Sequence, residues 1–248
     1  VSSTGHKLPP VAILAGGLAT RLGPLTAVIP KSLIDIGGRP FIDYQLQLLK
    51  RQGISEIVLC VGHLGQLVEQ HVGSGDDFGL KVEYSWDGET PLGTGGSLRK
   101  AAHLLTDTFF IMYGDSYLLC DFANVAQGFD GSSAEALMTV YRNDNLFDRS
   151  NVQFEDGKIL RYDKGPDVGS MRHIDYGLGM MRREVLEQWP ENQKTDLATI
   201  YQTLLARGTL GACLVQERFY EIGSHSGIED FASFAAERKI LDRKGDSK

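Results

Sequence analysis

An α/β fold, with a Rossmann-like, mixed but mostly parallel sheet flanked by helices, is predicted by three features of this 248-residue chain. Through the first half, apolar runs of strand length alternate with helix-length amphipathic segments, the pattern of parallel strands joined by crossover helices. Two of the runs end in glycine turns, Val11–Leu14 before Gly16-Gly17 and Phe109–Tyr113 before Gly114-Asp115. In open α/β sheets ligands bind outside the carboxyl ends of the strands, so both turns are expected to face one crevice. No internal repeat or low-complexity linker divides the chain. A single domain over 1–248 is expected, with residues 1–10 as a flexible N-terminal segment.

After the first strand, residues 41–52 are predicted as a helix, with Ile42, Leu46 and Leu49 at helical spacing and Gly53 ending it. A buried strand follows over 57–61, a helix over 64–72, a strand over 80–85, a helix over 95–105 and a strand over 109–113. The second half reads as more mixed, with antiparallel additions. Residues 135–141 form a strand, and 152–160 a hairpin turning at Asp156-Gly157. A strand over 178–182, a helix over 197–206, short strands over 212–216 and 218–222 and a final amphipathic helix over 227–241 complete the reading.

A hydrophobic content of 42% is enough for a full core. The net charge of −7 argues against nucleic acid or an anionic membrane as the main partner, because both reward clustered lysine and arginine. A negatively charged substrate must then be held by local cations. No apolar run approaches the ~20 residues that span a bilayer, and the first ten residues lack the apolar core of a secretory signal, so a cytoplasmic protein is expected. Cys60, Cys120 and Cys213 lie far apart in apolar contexts and are predicted to be buried free thiols. The histidines form no HExxH pattern and the serines no GxSxG elbow, which removes zinc-hydrolase and α/β-hydrolase chemistry.

The richest stretch is 13–33. It places Gly16 and Gly17 directly after a strand, where backbone N–H groups can approach an anion, and adds Arg21 and Lys31 as cations. That is the layout of a polyphosphate-binding loop. It matches neither GxxxxGK[ST] nor GxGxxG, which disfavours a P-loop ATPase and a Rossmann dehydrogenase.

This stretch resembles the opening motif of the sugar-phosphate nucleotidyltransferases, approximately Leu-Ala-Gly-Gly-x-Gly-Thr-Arg-Leu-x-Pro-Leu-Thr followed by Pro-Lys-Pro-Leu. Ala19 stands where that family usually has glycine, and Ser32 where it has the second proline. The resemblance runs from Val11 to about Phe231 and implies the nucleotide-diphospho-sugar transferase fold in a short form, with a nucleotide half over 11–120 and a sugar-phosphate half over 121–248. The implied substrates are a nucleoside triphosphate and a sugar 1-phosphate; homo-oligomerisation stays open. The implied reaction is attack by an already anionic phosphate oxygen on the α-phosphorus, with pyrophosphate leaving. It needs no general base, but it does need alignment and charge neutralisation.

On that resemblance Arg21 and Lys31 are the catalytic cations, and Leu14, Ala15, Gly16, Gly17 and Thr20 bind the nucleotide. Pro91-Leu92-Gly93-Thr94-Gly95-Gly96 is similar to the family segment that approaches the nucleobase and ribose, which adds Gly93, Thr94 and Gly95. Asp115, in the family's Gly-Asp, is implied to bind nucleotide and Mg²⁺. Glu221, where relatives often carry aspartate before Ile-Gly, is the second implied metal ligand; a hard, partly hydrated cation needs few carboxylates. Tyr162-Asp163-Lys164-Gly165 resembles the Glu-Lys-Pro segment whose lysine binds the sugar phosphate. Asp175 and Gly177 fall on the Asn-x-Gly that contacts sugar hydroxyls, with a carboxylate in place of the amide.

Within the family, heptose-1-phosphate guanylyltransferases and N-acetylmuramate-1-phosphate uridylyltransferases are most similar in length and in the Tyr-Gly-Asp-Ser-Tyr run. Phosphocholine cytidylyltransferases share the opening motif, so a phosphocholine-type acceptor stays open. A nucleotide- or NDP-sugar-binding regulatory subunit is the alternative outside catalysis. A glycosyltransferase would normally carry Asp-x-Asp, which Gly114-Asp115-Ser116 lacks.

Overall fold

In the computed structural model, which describes residues 7–17, 22–23, 28–165, 169 and 171–240, four parallel strands form one half of the main sheet. They are β1 (Val11–Leu14), β2 (Glu56–Val61), β3 (Lys81–Trp86) and β4 (Thr108–Tyr113). They pair in parallel in the order β4-β1-β2-β3, with Leu14 opposite Cys60 on one side and Tyr113 on the other. Successive residues enter opposite layers. Val11 and Ile13 pack with the helices α1 (Phe41–Arg51), α2 (Gly65–Val72) and α4 (Phe122–Asp130), whereas Ala12 packs with α3 (Gly93–Ala101), α5 (Arg183–Glu187) and α6 (Leu197–Arg207). Burial on both faces explains why β1, β2 and β4 read as continuous apolar runs, whereas the edge strand β3 alternates with polar and charged residues.

The sheet continues past β4 through β9 (His173–Arg182), β6 (Ala136–Arg142) and β10 (Leu210–Val215). The strand β9 runs antiparallel to both β4 and β6, and β10 runs parallel to β6. One reversed strand thus lies among six that point the same way, and its amino end reaches the edge where β4 and β6 finish. A hairpin of β7 (Val152–Glu155) and β8 (Lys158–Tyr162) joins β9 through Val152 and His173. It turns at Asp156 and Gly157 as predicted, both with positive φ (48° and 77°), the turn geometry that suits twisted antiparallel strands.

Several elements differ from the sequence reading. The predicted strand near 218–222 is β11 (Phe219–Glu221); it leaves the main sheet and pairs antiparallel with β5 (Ser116–Leu118), a strand too short to show as a pattern. The helix α4 was not anticipated, although Phe122, Val125, Ala126 and Phe129 follow helical spacing and Asp121 caps it by accepting from the Ala123 and Asn124 amides. Strand β9 starts five residues before the predicted Leu178 because glycines at 177 and 179 disguise it; Gly177 has φ +98°. Helix α3 begins at Gly93, two residues early. The last helix, α7 (His225–Arg238), is capped by the Ser224 hydroxyl, and the predicted end at Leu241 lies outside the described residues. The amino-terminal segment is anchored from Lys7 onward: Lys7 pairs with Glu56, Leu8 packs on the core, and Pro10 accepts a hydrogen bond from the Phe110 amide. The three cysteines are free, Cys60 and Cys120 buried and Cys213 half-buried. Among the described residues no helix is long and apolar enough to cross a membrane.

A third apolar cluster fastens α7 and the β5–β11 ribbon to the outer side of α1. At its centre the Phe231 ring meets Phe41, Tyr44 and Tyr117 at centroid distances of 5.1, 5.2 and 5.0 Å. Truncating a fully buried phenylalanine loses its transfer energy and leaves a cavity. Phe231→Ala is expected to lower stability by about 3–5 kcal/mol, measured as the shift of the urea midpoint followed by circular dichroism.

Candidate functional site

The carboxyl ends of β1 and β4 meet closely enough to demand glycine. The Gly114 amide donates to the Leu14 carbonyl at 3.0 Å, and a Cβ on Gly114 would stand 2.7 Å from that same oxygen. Gly16 is constrained in the same way, since a Cβ there would lie 3.2 Å from the Gly62 nitrogen and 3.3 Å from Asp87 Oδ2. The two predicted glycine turns therefore do face one crevice. A 3-10 turn over Lys31–Leu33 carries Lys31 into it, where Nζ lies 2.8 Å from Asp115 Oδ2. Arg21 and Thr20 lie outside the described residues.

Glu221 reaches the same point through the β5–β11 ribbon. It is in register with Ser116, and the Ile222 amide donates to the Asp115 carbonyl at 3.0 Å. The Glu221 carboxylate folds back onto the start of α7, accepting from the Gly223 amide and from Ser224 Oγ at 2.8 Å. Burial pushes its pKa up; the two hydrogen bonds oppose that shift, and the charges of Asp115 and Asp148 add to it. At Gly223 a Cβ would collide with Glu221 Oε2 and come within 3.5 Å of Asp115 Oδ2 and 3.6 Å of Lys31 Nζ. Three charged groups thus surround a space that only glycine leaves open.

Two cavities flank this point. The first, about 320 Å³, is lined by Leu14, Ala15, Gly16 and Gly17 from the loop after β1, by Gly93, Thr94 and Ser97 from α3, and by Lys31, Ser32, Asp87 and Asp115. Of the residues expected to bind nucleotide, Gly95 is not in the lining. It packs against Ile200 and Asp196, and the Gly95 and Gly96 amides both donate to the Thr195 carbonyl. The glycines of α3 accommodate the 193–196 segment at very short range, a reason for them that the sequence motif alone did not suggest. Thr94 Oγ1 in turn accepts from the Leu197 amide at 2.8 Å and helps cap α6.

The second cavity, about 370 Å³, has Lys164, Asp175 and Gly177 in its wall, together with Asp148, Arg149, Asn151 and Glu221. Tyr113 and Asp115 line both cavities and form the boundary between them. Lys164, Asp175 and Gly177, the residues expected to bind the sugar phosphate, thus line one cavity, and most of those expected to bind nucleotide line the other.

Among the lining residues that escaped the sequence reading are Asp87, Arg149 and Asn151. Asp87 is buried, with Oδ1 2.6 Å from Ser97 Oγ and Oδ2 3.4 Å from the Leu92 amide, and burial pushes its carboxyl above the usual range. It follows β3 directly, the same strand-end position that singled out Asp115. Arg149 and Asn151 sit at the end of a polar loop that reads as a plain connection. Its structure is built by Asn143 and Ser150, both fully buried: Asn143 Nδ2 donates to the Asp148 carbonyl at 2.6 Å and to Ser150 Oγ at 3.1 Å. Asp144 and Asn145 supply the positive-φ corner, a conformation these residue types tolerate. Among the described residues there is no group of three or more His, Cys, Asp or Glu that could hold a metal ion.

The chain belongs to the nucleotidyl transferase family, whose model matches residues 11–238. It is 30% identical over 201 residues to a UTP–glucose-1-phosphate uridylyltransferase of Synechocystis, an alignment covering 75% of this chain and 52% of the relative. It is 27% identical over 215 residues to the D-glycero-α-D-manno-heptose 1-phosphate guanylyltransferase of Campylobacter jejuni, covering 85% of this chain and 93% of that one. The chain thus spans about half the length of the first relative and nearly all of the second. The fold matches that of HddC from Yersinia pseudotuberculosis complexed with GMP-PN, with a TM-score of 0.77 at 23% identity, over 92% of this chain and 99% of that one.

Ser32, the residue in place of the family's proline, lies 3% exposed with its hydroxyl unpartnered among the described residues. A buried hydroxyl without a partner costs stability. Ser32→Ala is expected to raise stability by about 1 kcal/mol, read as a higher thermal midpoint in differential scanning calorimetry.

Proposed function

We propose that the protein transfers a nucleotidyl group from a nucleoside triphosphate to a sugar 1-phosphate, giving an NDP-sugar and pyrophosphate. The observation that carries this reading is the pair of cavities sharing the wall Tyr113–Asp115, with Lys31 at the junction. A nucleotide in the first cavity and a sugar phosphate in the second would meet there, so that the acceptor's phosphate oxygen attacks the α-phosphorus across a short gap. The glycine loop after β1 offers backbone close approach to the triphosphate. Lys31 supplies fixed positive charge where negative charge gathers on the α-phosphate and leaving group. Lys164 serves as the cation for the acceptor's phosphate, and Gly177 leaves room beside it.

A Mg²⁺ ion suits Asp115 and Glu221. Their carboxylates face a space that a Cβ at Gly223 would fill, and burial together with the nearby Asp115 charge disfavours an ionised Glu221, a cost a cation removes. Glu221 keeps acceptor capacity beyond its two hydrogen bonds, and two carboxylates with substrate oxygens meet the needs of a cation that retains water. When bound, the ion supplies charge neutralisation at the reacting phosphates. The alignment over 93% of the heptose relative supports a guanylyl donor and a heptose-type acceptor as the first pair to assay, in the cytoplasm, where nucleoside triphosphates are available.

The test is pyrophosphate release with Mg²⁺ across four ribonucleoside triphosphates and dTTP, each against hexose, amino-sugar, N-acetylmuramate and heptose 1-phosphates, with phosphocholine included. One productive pair is expected, lost when EDTA is added and reduced about 10²–10³-fold by Lys31→Ala or Asp115→Ala. Turnover with phosphocholine alone would move the acceptor out of the sugars. Nucleotide binding without turnover for any pair would make the chain a regulatory subunit.

A further inference from the structure

In the wall of the second cavity a single carboxylate holds two phenols. Asp175 Oδ2 accepts from Tyr162 Oη at 3.0 Å and from Tyr113 Oη at 3.2 Å, while Oδ1 accepts from the Gly177 amide at 3.1 Å. The Asp175 amide is itself fixed by Asn151 Oδ1 at 2.9 Å. Three elements are joined here: the end of β4, the end of β8 and the amino end of β9. Lys164 rests on this assembly. Its Nζ stands 5.4 Å from the Tyr113 ring centre and 5.8 Å from that of Tyr162, and 3.4 Å from Tyr113 Oη. Among the described residues no carboxylate lies within ion-pair distance of it. A lysine on a flexible stem loses rotamer freedom when placed, so its location depends on what the two rings offer: a cation–π contact to each and one hydroxyl oxygen.

We infer that Asp175 is a positioning residue: by fixing the hydroxyls of Tyr113 and Tyr162 it holds their rings as the platform that presents Lys164 to the acceptor's phosphate. The inference rests on the reading of Lys164 as the phosphate-binding cation, and it replaces a sugar-hydroxyl role for Asp175, whose oxygens are already engaged by protein donors. Burial and the Asp175 charge together push both phenols well above their ordinary pKa, which keeps them protonated donors. Because Tyr113 also lines the nucleotide cavity, the same platform bounds both substrates.

Two readouts separate the inference from the reading beneath it. The first needs no substrate: lysines of the intact protein are reductively ¹³C-methylated, and the Lys164 signal is identified by its absence in Lys164→Arg. Ring currents from two phenols are expected to shift that signal upfield, and the shift is expected to be lost in Asp175→Ala and reduced in Tyr162→Phe, which keeps the ring and removes only its hydroxyl. A shift that survives both variants overturns the inference; should Asp175→Ala fail to fold, Tyr162→Phe and Asp175→Asn decide.

The second uses the productive pair found above. Asp175→Ala is expected to raise the sugar-phosphate KM about tenfold with a smaller change in the nucleotide KM, and to add less than about twofold to the sugar-phosphate KM in a Lys164→Ala background. Effects that simply multiply would show that Asp175 touches the substrate on its own and would overturn the inference. If Lys164→Ala leaves the sugar-phosphate KM unchanged, the phosphate role of Lys164 fails, whereas the methyl signal still decides whether Asp175 places it.

Discussion

The hydrogen bond from the Gly114 amide to the Leu14 carbonyl ties together the carboxyl ends of the two central strands, and the site depends on that junction. It aligns the glycine loop after β1 with the Tyr113-Gly114-Asp115 corner after β4. Nothing larger than glycine fits there, because a Cβ would press on the same carbonyl. With the two corners locked, Lys31 can pair with Asp115 without searching for it, and the β5–β11 ribbon that follows Asp115 can carry Glu221 back to the same place. Preorganisation of this kind is inexpensive for the protein at the moment of reaction, since the charges are already arranged.

The two cavities differ in how they are built. The first is made of backbone: strand ends, glycine turns and the first turn of α3, all part of or packed on the parallel strands. The second side is made of side chains held by other side chains, with Asp175 between two tyrosines and a loop organised by buried Asn143 and Ser150. Buried polar networks of this type are satisfied only in one arrangement. The difference accounts for which half was easier to read.

The parallel strands and the glycine turns announced themselves because their causes are local: apolar runs buried on both faces, and glycine where backbones approach. Asp115 and Lys31 were legible for the same reason, each lying at a fixed distance from a turn. Arg149 and Asn151 were not, because their placement depends on a loop whose internal hydrogen bonds span residues that read only as polar. The partners of Asp175 come from strands that are 62 and 13 residues away in sequence. No local pattern carries such a pairing, so its role as a hydrogen-bond hub emerges only in three dimensions. The glycines of α3 were legible as glycines, but their purpose, room for the Gln193–Asp196 segment, lies about a hundred residues away.

The reversed strand β9 has a consequence for how such a protein can diversify. Its amino end lines the second cavity, and the hairpin and loop feeding it are tied to the outer part of the sheet rather than to β1, β2 or β3. Insertions or exchanges between Asn143 and His173 can therefore remodel one partner's chamber while the register of the parallel strands stays untouched. The architecture separates a parallel-strand chassis from a module hung on the reversed strand, and a change in that module does not require the chain to solve the folding problem again.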